Sequence, residues 1–109
     1  MSDLEIWLLY STFKTKDEAI SAARTLLEKC LIACANIGGP ALSLYRWQGK
    51  IEQEQEAVML AKTSAGRVDD AVAALKMLHS YEMPCIVAYP ANRGFLPYIA
   101  WVENETTGK

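Results

Sequence analysis

The stretch Tyr45-Arg-Trp-Gln-Gly-Lys-Ile-Glu-Gln-Glu-Gln-Glu56 decides the fold, because its two halves give opposite signals. Glu, Gln, Ala, Met, Leu and Lys dominate from Glu52 to Lys62 and favour a helix by intrinsic propensity. Glu52, Glu54 and Glu56 nevertheless recur every second residue, which is the rhythm of a strand. Gly49 arbitrates. It stands third in Trp47-Gln-Gly-Lys50, where a type II turn demands a positive φ. A helix cannot easily start two residues later and keep Ile51 buried, whereas a hairpin can. With Gln48 and Gly49 as the turn, Trp47 faces Lys50, Tyr45 faces Glu52 and Ser43 faces Glu54. On the other face Arg46 meets Ile51 and Leu44 meets Gln53, so both faces carry matched pairs. Residues 51–63 are therefore expected as a strand against their propensity.

Length adds a consequence. Such a strand spans about 43 Å at about 3.3 Å per residue, whereas a compact domain of this size is only about 34 Å across. A straight hairpin must project beyond its own domain. Tyr45 and Trp47 near its tip are costly to leave in water, and a second copy of the chain is the economical cover.

Outward from the hairpin, Leu4, Ile6, Leu8 and Tyr10 alternate with Glu5, Trp7, Leu9 and Ser11 as a first strand. Thr15-Lys-Asp-Glu18 reads as a capping box. The helix behind it carries Ala19, Ile20, Ala23, Leu26, Leu27, Cys30 and Leu31 at helical spacing and should stop near Ala33. Asn36-Ile-Gly-Gly-Pro40 reads as a break before a strand from Leu42 to Trp47. A second helix after Ser64 turns Val68, Ala71, Val72, Leu75 and Leu78 inward, with Asp69 and Asp70 in its first turn. Cys85–Tyr89 reads as a buried strand, residues 90–97 as a loop, and Tyr98–Glu105 as a short terminal helix. The order is α+β: a ferredoxin-like βαββαβ sandwich with a long projecting β-hairpin and a short C-terminal helix.

Composition narrows the function classes. A chain of 109 residues suits one domain, residues 1–109, with one core. Eleven basic residues against thirteen acidic ones form no basic cluster, which argues against nucleic acid as a partner. No apolar run reaches the roughly 18 residues a membrane helix needs. The acidic start Met-Ser-Asp-Leu-Glu lacks the basic opening of a secretory signal. Three unevenly spaced cysteines make no disulfide framework, so a cytoplasmic protein with reduced thiols is expected.

The motifs Leu31-Ile-Ala-Cys-Ala-Asn-Ile37, Ser43-Leu-Tyr-Arg-Trp-Gln-Gly-Lys-Ile-Glu52, Lys62-Thr63, His79-x-Tyr-Glu-x-Pro84 and Tyr98-x-x-Trp101 occur in this order. Together they make the chain resemble the CutA family of divalent-cation tolerance proteins over nearly its whole length. The resemblance implies a tight homotrimer whose hairpins reach onto neighbouring subunits, and a link to copper and other divalent metals. Its trimer architecture is similar to that of the P-II signalling proteins. Two departures bear on metal: Ser11 stands where some members have cysteine, and Cys85 stands where the family usually has glutamate. A site using that cysteine and glutamate does not carry over intact.

Candidate chemistry follows from these positions. His79, the only histidine, pairs with Cys85 as a candidate metal site, since imidazole plus thiolate suits Cu(I) or zinc. Its plainer role is a helix-terminal imidazole. A closed Cys₃His zinc site from Cys30, Cys34, Cys85 and His79 lacks any Cys-x-x-Cys knuckle. Glu52 and Glu54 join Tyr45 and Trp47 as the candidate oligomer interface. Lys62, Tyr81, Glu82 and Trp101 are a candidate cleft for a small anion, as in a P-II-like sensor, although tyrosine and tryptophan also enrich plain interfaces. No nucleophile elbow, zinc-hydrolase motif or glycine-rich phosphate loop is present. A non-enzymatic homotrimer in metal tolerance, requiring no cofactor and binding copper or another divalent ion weakly, is the first expectation. A signalling trimer with intersubunit ligand clefts is the alternative.

Overall fold

The computed structural model describes residues 5–107. Four antiparallel strands, β1 (Ile6–Phe13), β2 (Cys34–Trp47), β3 (Lys50–Ser64) and β4 (Ile86–Ala91), lie in the order β2-β3-β1-β4. Helices α1 (Lys16–Glu28) and α2 (Val68–Leu78) make the two crossovers, and α3 (Leu96–Glu105) ends the chain. This is the expected ferredoxin-like sandwich. Leu4, assigned to the first strand by its alternation, lies outside the described residues.

Alternation on the strands builds the core. Leu9 and Phe13 of β1, with Ala57, Met59 and Ala61 of β3, turn to one face and pack on Ala19, Ala23 and Leu26 of α1 and Ala71 and Leu75 of α2. Fully burying each large aliphatic or aromatic side chain there contributes about 1.5–3 kcal/mol. On the opposite face α3 covers only one end, where Ile99 and Val102 meet Ile6.

The hairpin forms in the expected register, from Trp47↔Lys50 through Tyr45↔Glu52 to Ser43↔Glu54. Its turn differs. Gln48 (φ 51°) and Gly49 (φ 80°) are both left-handed, the pattern of a type I′ turn rather than type II. The I′ twist matches the right-handed twist of the flanking strands. β3 pairs with β1 only as far as Ala57↔Phe13, so residues 50–56 pair with β2 alone and form an arm. The arm stretches the chain to 48 × 26 × 21 Å.

Further expectations are corrected. The Asn36–Pro40 segment does not break the strand; β2 runs through it with a register shift between Gly38 and Ala41. β2 is an edge strand, where a proline and a bulge cost no shared ladder bond. α1 stops at Glu28, not near Ala33, because Cys30 takes a left-handed φ of 58°. The Leu31 amide donates to the Leu26 carbonyl (2.9 Å) and the Cys30 amide to that of Leu27 (3.0 Å), the paired bonds of a Schellman ending. Cys30 therefore sits beyond the helix and not on its apolar stripe. Leu78 is exposed rather than inward, and β4 is half-exposed, with Val87 and Tyr89 open to solvent.

Candidate functional site

β1 ends at Phe13 while the hairpin continues, and the 79–85 loop enters β4 beside that same end. The shortfall of β1 opens a cleft of about 980 Å³ between the arm and the loop. Tyr10, Tyr45, Trp47 and Tyr81 contribute its rings, and Cys85 stands on its wall. Thr15 Oγ1 caps α1 from the Glu18 amide (3.1 Å), but the Glu18 carboxylate does not close the capping box. It accepts from Ser80 Oγ (2.6 Å) instead, which ties the loop to α1.

His79 anchors the loop. Its ring stacks on Phe13, centroids 4.5 Å apart, and lies 4.9 Å from the Tyr81 ring. Nε2–H donates to the Thr12 carbonyl (2.7 Å), and Nδ1 accepts from the Tyr81 amide (3.1 Å). A neutral imidazole has one lone pair, and the Tyr81 amide occupies it. His79 is thus held in the Nε2–H tautomer with both nitrogens engaged in this chain. Buried Ser11 donates to the Cys85 carbonyl (2.7 Å), so these two positions meet through the backbone of Cys85. Partial burial of the Cys85 thiol and, secondarily, the nearby Glu56 carboxylate push its pKa up. Among the described residues no three His, Cys, Asp or Glu side chains converge as a ready metal cage.

Tyrosine hydroxyls organise the carboxylate row. Tyr45 donates to Glu54 Oε2, and Tyr81 donates to Glu56 Oε2 (2.8 Å). The bond to Glu54 pushes the Tyr45 phenol up to about 12. Burial raises Tyr81 first, and its bond to Glu56 adds to that. Tyr10, raised mainly by burial and next by Cys85, completes the group. Tyr10 was not singled out from the sequence, whose alternation grouped it with Ile6 and Leu8 as the more apolar face of β1; the main core instead takes the Leu9 and Phe13 face.

The expected anion cleft is not assembled within one chain. Lys62 Nζ donates to Asn36 Oδ1, and Lys62 pairs in register with Cys34. Cys34 Sγ lies 3.2 Å from the Tyr98 hydroxyl, whose ring is 5.7 Å from that of Trp101. Lys62 and Trp101 therefore share one end of the sheet. Tyr81 and Glu82 belong to the other, because Tyr81 bonds Glu56, six residues or roughly 20 Å back along β3. Thr63, inside a family motif, is structural: its buried hydroxyl donates to the Leu31 carbonyl (2.6 Å).

The family model described as CutA1 divalent ion tolerance protein matches residues 7–105. The chain belongs to the CutA family. The divalent-cation tolerance protein CutA of Archaeoglobus fulgidus is 39% identical over 95 residues, covering 87% of this chain and 92% of that protein. Human Protein CutA is 34% identical over 97 residues, and the chain spans only 54% of its length. The crystal structure of the divalent ion tolerance protein CutA1 from Ehrlichia chaffeensis superposes at a TM-score of 0.91, with 33% identity and coverage of 97% of this chain and 99% of that one. The A. fulgidus protein is described in its solved structure as periplasmic; that CutA fold matches at a TM-score of 0.88 with 37% identity, over 93% of this chain and 98% of that one. In this chain, among the described residues, no helix is long and apolar enough to cross a membrane.

Proposed function

We propose that this CutA chain serves divalent-cation tolerance as a non-catalytic cytoplasmic homotrimer that takes up copper or another divalent ion weakly. The arm carries the reading. Leu42, Leu44, Tyr45, Trp47 and Ile51 are exposed along it. The chain alone exposes 7105 Å², about 1,000 Å² more than a monomer of this size is expected to. A neighbouring copy covering the arm removes this surface from water, and Tyr45, Trp47, Glu52 and Glu54 then lie in the contact. Family membership supports the cation role. Metal contact is assigned to Cys85 and His79, a soft pair suited to Cu(I) or zinc. His79 ligates only by giving up the Tyr81 amide, and the Cys85 thiol must lose its proton; both costs make the affinity weak. In a copper competition titration of the purified oligomer, Cys85→Ala should bind more weakly than the parent, with the oligomer intact. Parental affinity in both Cys85→Ala and His79→Ala would overturn the assignment.

A second reading, a sensor trimer holding a small ligand in clefts between subunits, is favoured by the cleft at the root of the arm. Lys62 and Trp101 would have to come from one subunit and Tyr81 and Glu82 from another. A thermal-shift screen in which no small molecule stabilises the oligomer would end it.

A further inference from the structure

The root of the arm is a weak point in the sheet. β3 loses its β1 partner after Ala57↔Phe13, and β2 changes register between Gly38 and Ala41, opposite Val58 and Glu56. Both changes meet at Ala57. Gly39 packs against the Glu56 carbonyl and Ala57 at this same place. A bulge bends and twists its strand, and a two-stranded ribbon takes up more twist than a broad sheet. Beyond Ala57 the ladder alone therefore sets the direction of residues 50–56 only loosely.

A closed circuit of contacts crosses this point. Thr12 and Phe13, at the end of β1, hold the His79 ring by the bond from Nε2–H and by stacking. His79 Nδ1 holds the Tyr81 amide, and the Tyr81 hydroxyl reaches Glu56, the first residue beyond Ala57 towards the tip (2.8 Å). Glu56 leads back through Ala57 to Phe13, its register partner. Ser80 adds a second tie, to Glu18 of α1. Swinging the arm about Ala57 would break the bond to the Glu56 carboxylate, which is stronger than one between neutral groups. Resting on the oligomer reading above, we infer that His79 and Tyr81 are positioning residues: they brace the arm at Ala57 and set the angle at which it meets the neighbouring copy. Every contact of the brace lies within one chain. It therefore orders the arm before the neighbour arrives and lowers the ordering cost of assembly.

The test is sedimentation velocity of the untagged full chain and its variants over a dilution series. Y81F deletes only the hydroxyl and leaves the ring and the amide on His79. It should raise the concentration of half-assembly about tenfold, with an unchanged circular dichroism spectrum. E56A should match it, whereas E56Q, which still accepts the hydroxyl, should stay within about threefold of the parent. The double variant Y81F/E56A should be no worse than either single change, because both remove the same bond. Parental assembly in Y81F, or additive losses in the double variant, overturns the brace. A parent that stays monomeric ends the oligomer reading, and the brace is then read from residual dipolar couplings. The arm amides should share the alignment of the sheet in the parent and lose it in Y81F; a shared alignment in both overturns the brace.

Discussion

Replacing Trp47 by alanine should dismantle the assembly without unfolding the subunit. Trp47 retains 46% of its surface in the isolated chain. For a side chain that can bury up to about 250 Å², this leaves roughly 115 Å² for a neighbour to cover. At about 25 cal/mol per Å² the loss is roughly 2–3 kcal/mol per chain, the lower figure allowing for incomplete cover. In the proposed trimer three such contacts are lost, and the concentration of half-assembly varies as the square root of the trimer dissociation constant. That concentration should therefore rise by roughly two to three orders of magnitude. Sedimentation velocity over a dilution series measures it directly. Trp7 provides the control: it lies on β1, its Nε1 donates to Glu5 (3.3 Å), and it is remote from the arm. Equal shifts in Trp47→Ala and Trp7→Ala would refute the arm argument.

Three further outcomes follow from the geometry. Cys30→Gly should stabilise the subunit by roughly 0.5–1 kcal/mol, since a left-handed non-glycine residue costs about 1–2 kcal/mol and glycine returns part of that as chain entropy; a lower thermal midpoint at equal protein concentration would contradict it. Gly39→Ala should destabilise, because φ is +119° and the added Cβ would stand 2.9 Å from the Glu56 carbonyl oxygen and 3.3 Å from Ala57 Cα; an unchanged denaturation midpoint would show that the bulge yields. Alkaline pH should weaken the fold. The Cys34 contact, then burial, lifts Tyr98 to about 12; Tyr45 is lifted to about 12 and Tyr81 is raised as well, so the folded state holds these protons more tightly than the unfolded chain. Stability is then fully present below the ordinary tyrosine value of 10.0 and lost as pH climbs through the folded values. Urea midpoints should fall above about pH 10, less steeply in Tyr81→Phe, and a flat profile would contradict this.

The hairpin register was legible because Gly49 and the period-two glutamates conflict with helix propensity in the same place. One residue of slip would have turned every side chain to the wrong face. The turn type was less legible, since positive φ at Gln48 depends on the twist of the paired strands and not on the residue itself. Gly38-Gly39-Pro40 was misread as a break because strand order decides whether proline is tolerated, and strand order is a tertiary fact. The end of α1 was hidden by a cysteine in the left-handed position where glycine would have announced it. At the site, the sequence marks His79 and Cys85 as candidate ligands, but the engagement of both imidazole nitrogens depends on the backbone of β1 and of the loop. The pairing of Tyr81 with Glu56, residues 25 apart, likewise exists only once the loop crosses to the arm.

The most direct test is the native mass of the untagged chain at low micromolar concentration. The account predicts three chains, dissociating on loss of Trp47. A monomer with full secondary structure would contradict it, because the exposed arm would then have no neighbour to cover it.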